Sequence, residues 1–248
     1  MNGFSKAVME VFSVLVLFSL TPSARAIAFN QNIVAIFGTG NPNTGWTTDT
    51  SAGGIVLGLR GKERDTASTA NASGVYSYAT GVDPNNAARA RWNWEFSINS
   101  GGANLNNFEF YVGADLDASQ GISYSIVNAL TFFNDNSYGN NATLNGQGVE
   151  GTAFAPDNLA MANNIAQQSQ NLVFVGGNPF LNATYDYILY AVANGGGSGG
   201  AHLAETHITV VVGNGGAAVP DAGSTFALLG LGMAALTGFR LRQRAQAV

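Results

Sequence analysis

Asp115, Asp117 and Ser119, in the run DLDASQG, place three oxygen side chains at alternate positions, the spacing in this chain that most resembles a chemical site. Hard cations such as calcium gather carboxylate, hydroxyl and carbonyl oxygens, and alternate acidic positions open the loops that bind them. The full twelve-residue calcium loop is absent. Gln120 holds the sixth place, where the sharp turn needs glycine, and Ile126 the twelfth, where a bidentate glutamate belongs. A plain acidic turn at a strand end is the competing reading. Calcium is the one cofactor these residues suggest.

Other chemistry is thinly supplied. With no cysteine, thiol nucleophiles, thiolate metal sites and disulfide staples are excluded. The two histidines, His202 and His207, fall in one extended stretch without a G-x-S-x-G elbow or an H-E-x-x-H helix. In period two, His207 shares a face with Glu205 and His202 shares one with Ala204. Glu95, Glu109, Asp115 and Asp117 could supply the carboxylate pair of a glycosidase, which needs a separation of roughly 5 to 9 Å. Any wet sheet face carries such pairs, so a non-enzymatic protein is expected. Between residues 27 and 217, five Lys/Arg stand against thirteen Asp/Glu, a balance of −8. So acidic a surface argues against nucleic acid and anionic membranes as partners.

The elements that must position these residues read as strands. The strongest alternation covers residues 91–99, where Trp92, Trp94, Phe96 and Ile98 interleave with Arg91, Asn93, Glu95, Ser97 and Asn99. Period two predicts one buried and one wet face. Further strands are expected over 27–37, 54–60, 107–115, 122–133, 172–175, 184–192 and 203–212, with a charged edge or turn at 61–65. The glycine-rich run 194–200 reads as a flexible hairpin tip, and 213–218 as a flexible tether. One helix is expected over 156–169, with Pro156 in the first turn and Leu159, Ala162, Ile165 and Ala166 at helical spacing. The expected fold is all-β: an antiparallel β-sandwich, immunoglobulin-like or jelly-roll-like, with one short helix. Tyr76, Tyr78, Tyr138, Tyr185 and Tyr187 are candidates for stacking on sugar rings, alongside amides for their hydroxyls.

Both ends carry routing signals. Lys6, an apolar run over 11–20, and Ala24, Arg25 and Ala26 compose a signal helix with an A-x-A site cut after Ala26. This divides the chain into a signal peptide (1–26), a β-sandwich domain (27–217) and a C-terminal segment (218–248). That segment reads VPDAGST, then an apolar stretch over about 222–239, then Arg240, Arg242 and Arg244. The stretch approaches the roughly 20 residues of a transmembrane helix. The arginines act as a basic stop on the cytoplasmic side.

Val219, Pro220, Asp221, Ala222, Gly223, Ser224 and Thr225, with the apolar and basic parts behind them, resemble the VPDSG-CTERM tail, a variant of PEP-CTERM signals. Ala222 replaces the serine of the motif while its neighbours stay in register. The runs GIVLGLRGKER, ARARWNWEFSIN, YVGADLDAS, YDYILYAV and LAETHITVVVG are similar to the bodies of PEP-CTERM exported proteins. The resemblance implies export by signal peptidase and the Sec translocon, and transient inner-membrane anchoring. Processing by an exosortase-type enzyme and a final place at the cell surface or outside it follow. It also implies a structural or adhesive role tied to exopolysaccharide and biofilm. The alternative is a secreted carbohydrate-active enzyme or a carbohydrate-binding module.

Overall fold

The alternation at residues 92–99 forms a strand with a neighbour on either side, and the rest of the sandwich is layered on it. The computed structural model describes residues 27–64, 66, 71–151 and 157–217. Its strands are β1 (Ala28–Gln31), β2 (Trp46–Thr50), β3 (Val56–Glu63), β4 (Val75–Tyr78), β5 (Val82–Asp83), β6 (Asn86–Ala90), β7 (Trp92–Asn99), β8 (Phe108–Ala114), β9 (Ser125–Asn128), β10 (Ser137–Gly139), β11 (Val149–Glu150), β12 (Ile165–Asn171), β13 (Ala183–Ala193) and β14 (His202–Val212). One sheet runs β1-β2-β3-β7-β12-β10-β11 and is antiparallel throughout. The second runs β4-β14-β13-β8-β9, antiparallel except for the parallel edge pair β4–β14. β5 and β6 form a separate ribbon.

The facing sides of the two sheets make the core. Trp92, Trp94, Phe96 and Ile98 of β7 are buried against Phe110 and Val112 of β8 and Tyr185, Tyr187 and Leu189 of β13. Trp94 stacks on Tyr187 with centroids 4.8 Å apart, and Trp92 on Tyr78 at 5.7 Å. Fully burying large apolar side chains of this kind stabilises by about 1.5–3 kcal/mol each. The 27–217 chain therefore carries its fold on packing without disulfides.

The other face of β7 was expected to be wet, and it is dry. Asn93, Glu95 and Ser97 are buried because residues 32–45 cross over the outside of the first sheet. A buried loop needs partners for its backbone. Gln167 accepts from Ile36 N at 2.8 Å and donates to Val34 O at 2.9 Å. Arg60 Nη1 donates to Pro42 O at 2.6 Å and Thr44 O at 2.9 Å. The polar residues of the alternation are thus the inner lining of a second, smaller packed layer, where Ala35 and Phe37 join Trp46. Close approach is built in at Gly58: a Cβ there would stand 2.6 Å from Ile33 Cδ1.

Other boundaries shift. The strand expected over 27–37 shortens to β1, since 32–37 form the covering loop. Of the charged edge or turn expected at 61–65, residues 61–63 continue β3, pairing Glu63 with Trp92. Residues 122–133 give only β9 before a run of turns, and β2 lacked a recognised pattern. The helix expected over 156–169 is Asp157–Ala162 (α1); 165–171 is β12 instead. Seven ladder pairs to β7 outweigh the helical spacing of Ile165 and Ala166. Leu172–Val175 is a 3-10 turn, capped by the Asn171 side chain, which accepts from Val173 N.

Candidate functional site

The acidic loop after β8 is a ladder of local turns. Asp115 Oδ1 accepts from Asp117 N at 3.2 Å, Asp117 Oδ1 from Ser119 N at 2.7 Å, and Ser119 Oγ from Gly121 N at 3.2 Å. Alternate oxygens each bonding the amide two residues on are Asx-type turns in series, and that accounts for the spacing without an ion. Asp115 is buried, and its second oxygen accepts from Ser123 N at 2.8 Å. Hydrogen bonds from the Ser119 hydroxyl and amide hold the Asp117 carboxyl below its ordinary range. Among the described residues no group of three or more His, Asp or Glu could hold a metal.

The loop also grips the chain where it leaves the domain. Gln120 N donates to Ala217 O at 3.1 Å, and a Cβ on Gly216 would fall 2.0 Å from Ala118 O. Gly213 N reaches Tyr78 O at 2.8 Å, Asn214 N reaches Asn182 Oδ1 at 3.0 Å, and Gly216 N reaches Thr184 Oγ1 at 3.0 Å. The stretch expected as a flexible tether is therefore pinned as far as Ala217. Glycine at 216 is required by contact, which composition alone reads as flexibility.

On the outer face of the second sheet, Glu109 accepts from Gly195 N at 3.0 Å and Gly197 N at 2.8 Å, and Tyr111 Oη donates to it at 3.0 Å. The Gly195 amide first, then Gly197 and Tyr111, hold its carboxyl below the usual range. Tyr190 stacks on His202 at 4.0 Å and Tyr111 at 5.5 Å, and its hydroxyl donates to Ser198 O at 2.9 Å. The hairpin tip is thus anchored. An irregularity between Ala191 and Val192 skips Leu203 and reverses the alternation. His202, expected to side with Ala204, pairs instead with Glu205, while His207 is exposed.

The four carboxylates considered for glycoside hydrolysis do not gather into one site. Glu95 projects from the outer side of the first sheet and Glu109 from the outer side of the second. Glu95 is bonded to Arg60 at 2.5 Å and accepts from Ser169 Oγ at 3.0 Å. Asp115 and Asp117 serve their own turns.

The tyrosines proposed for sugar stacking also lie elsewhere. Tyr76, Tyr138, Tyr185 and Tyr187 are buried in the sandwich, and Tyr78 is half-buried against Trp92. Aromatic alternation marks an inner face, and the sequence carried no sign that both faces were covered. A groove of about 250 Å³ on the covered side of the first sheet presents amides instead: Asn99, Asn140 and Asn141 beside Ile33 and Ile165, with the buried Gln167 spent on the covering loop beneath them. Asn99 Nδ2 donates to Asn141 Oδ1 at 2.8 Å. Sequence reasoning missed this groove because its walls come from five separate segments; asparagines at strand ends were the available signal.

Beyond Ala217 the information lies in the sequence. Residues 218–242 match the family described as the VPDSG-CTERM motif. The tail is a VPDSG-CTERM sorting signal. The match takes in Val219 to Thr225, Arg240 and Arg242, and stops short of Arg244. This PEP-CTERM-like signal makes the protein an exported one, sorted through a membrane-anchored precursor and processed by an exosortase-type enzyme. The VPDSG-CTERM residues and the cleavage residues Ala24 and Ala26 lie outside the described residues. No helix among the described residues is long and apolar enough to cross a membrane. No curated protein and no solved structure matches the chain.

Proposed function

We propose that the exported sandwich is a structural or adhesive component of an extracellular polysaccharide matrix, without catalytic or metal-dependent chemistry of its own. The observation that carries this reading is the amide-lined groove. Its asparagines, Asn99, Asn140 and Asn141, carry donors and acceptors together, the pairing that sugar hydroxyls need. The −8 balance of residues 27–217 disfavours acidic polymers and favours a neutral glycan. The carboxylates discussed above already serve turns, the hairpin tip or an ion pair, which supports a passive role over hydrolysis. Biofilm association follows from that role as part of the proposal.

The test is retention on the producing bacterium's own polysaccharide, with hydrolysis followed in the same sample. Exported protein is expected to bind without releasing sugar, and Asn99→Ala with Asn141→Ala to weaken retention. Release of reducing ends would favour the carbohydrate-active enzyme instead.

A further inference from the structure

The end of the sandwich from which the sorting signal departs has a surface of its own kind. β14 closes at Val212 opposite Ala183, the first residue of β13, and residues 213–217 continue from it. Two loops hold them there. Ala118 O accepts from Thr184 N at 3.4 Å and Gln120 N donates to Ala217 O at 3.1 Å, while Asn182 Oδ1 accepts from Asn214 N at 3.0 Å. Ile122, just beyond Gln120, is 62% exposed; Phe180 and Leu181, just before Asn182, are 67% and 46% exposed. Single apolar residues on a surface need no explanation, but three large ones around one chain exit mark an interaction surface.

Charge sets this end apart as well. Residues 116–124, 176–182 and 213–217 contain one charged side chain, Asp117, in a domain whose balance is −8. That carboxylate is turned to the Ser119 amide.

The length of chain beyond Ala217 identifies the partner. The apolar stretch of the sorting signal starts at about Ala222, five residues on. Fully extended, that distance is at most about 18 Å, and roughly 6 Å of it crosses the headgroup layer, so Ala217 stands within about 12 Å of the lipid surface in the anchored precursor. The pinning of 213–217 leaves the tether no slack to draw from the domain. So short a tether keeps the effective concentration of lipid at this end high, and weak apolar contacts then suffice. Phenylalanine and leucine side chains settle at the boundary between headgroups and acyl chains. The acidic remainder of the domain is repelled by anionic lipid within a Debye length.

We propose that this end is a lipid-docking face of the membrane-anchored precursor: Phe180, Leu181 and Ile122 sink into the bilayer surface and stand the sandwich upright on it. The 194–200 hairpin tip then points away, separated from the face by the length of β13, about 33 Å. The inference rests on the sorting signal and is independent of the polysaccharide reading.

The test places the full-length chain in zwitterionic phosphatidylcholine vesicles, confirms attachment by flotation, and reads tryptophan emission with and without bromine on the acyl chains near the headgroups. Phe180→Trp puts a reporter at the face and Ser198→Trp puts one at the exposed hairpin tip; the native Trp46, Trp92 and Trp94 are buried and give a constant background. The emission added by Phe180→Trp is expected to shift to the blue and to be mostly quenched by bromolipid, and that added by Ser198→Trp to be untouched. Ile122→Asp with Leu181→Asp, both at exposed positions, is expected to restore the Phe180→Trp emission while the chain still floats. Equal quenching at both reporters, or none at Phe180→Trp in a floating chain, would overturn the proposal. Shielding of Phe180→Trp from aqueous acrylamide without bromolipid quenching would give this end to a second copy and overturn it equally. A chain that does not float would remove the anchor and the proposal with it.

Discussion

Arg60 and Glu95 face each other across β3 and β7 at 2.5 Å, with both side chains sealed from water. The pair joins the two packed layers. On one side it lies in the central sheet, and on the other Arg60 binds carbonyls of the covering loop and lies 4.1 Å over the Trp46 ring. Removing one partner leaves an uncompensated buried charge, which typically costs about 3–5 kcal/mol. Glu95→Ala and Arg60→Ala are therefore each expected to lower unfolding free energy by about that much. The double variant Arg60→Met with Glu95→Leu is expected to recover most of it. Denaturant titration of the four proteins checks this, and strictly additive losses would contradict the coupling.

Trp94 is the centre of the larger core. Trp94→Ala is expected to cost about 3–5 kcal/mol by removing the stack on Tyr187 and leaving a cavity. Chemical unfolding provides the check; an unchanged midpoint would mean that this face of β7 does not carry the fold.

All eight tyrosines have pKa values raised chiefly by burial, with Tyr76 and Tyr124 pushed up to about 12. An unfolded tyrosine ionises near 10. Since the folded values lie above the unfolded one, this stability is fully present below about pH 10 and is lost as pH rises toward 12. Phenolate absorbance is expected to rise late and steeply, together with loss of tertiary signal. A smooth rise centred at pH 10 in the folded protein would contradict the burial.

The acidic loop holds itself with its own amides. Calorimetric titration with millimolar calcium is expected to show no heat, and Asp117→Asn to leave melting in calcium unchanged relative to its absence. Saturable heat lost in Asp115→Asn and Asp117→Asn would restore the cation reading.

The sequence disclosed the sandwich through its strongest alternations, β7, β8 and the β13–β14 hairpin, because period two survives wherever one face meets a core. It misplaced what depended on distant partners. Glu95 read as wet because Arg60 and the covering loop are contributed by residues far away in the chain. Residues 165–169 read as helix because Ile165 and Ala166 continue a helical spacing, while β7 and β10 supply the ladder that makes them part of a strand. Asp115, Asp117 and Ser119 were legible as a unit, but their spacing fits a cation loop and serial turns equally well until the amides are placed. The amide groove joins separate segments, so it leaves no linear signature. The sorting signal is the reverse case: its information is contiguous, and residues 219–225 are readable without any fold.

The most direct test of the export route is fractionation of producing cells carrying Pro220→Ala with Asp221→Ala. The account predicts that this variant crosses the inner membrane and accumulates there as uncleaved precursor, while the parent protein is processed and leaves it. Normal processing and release of the variant would contradict the account.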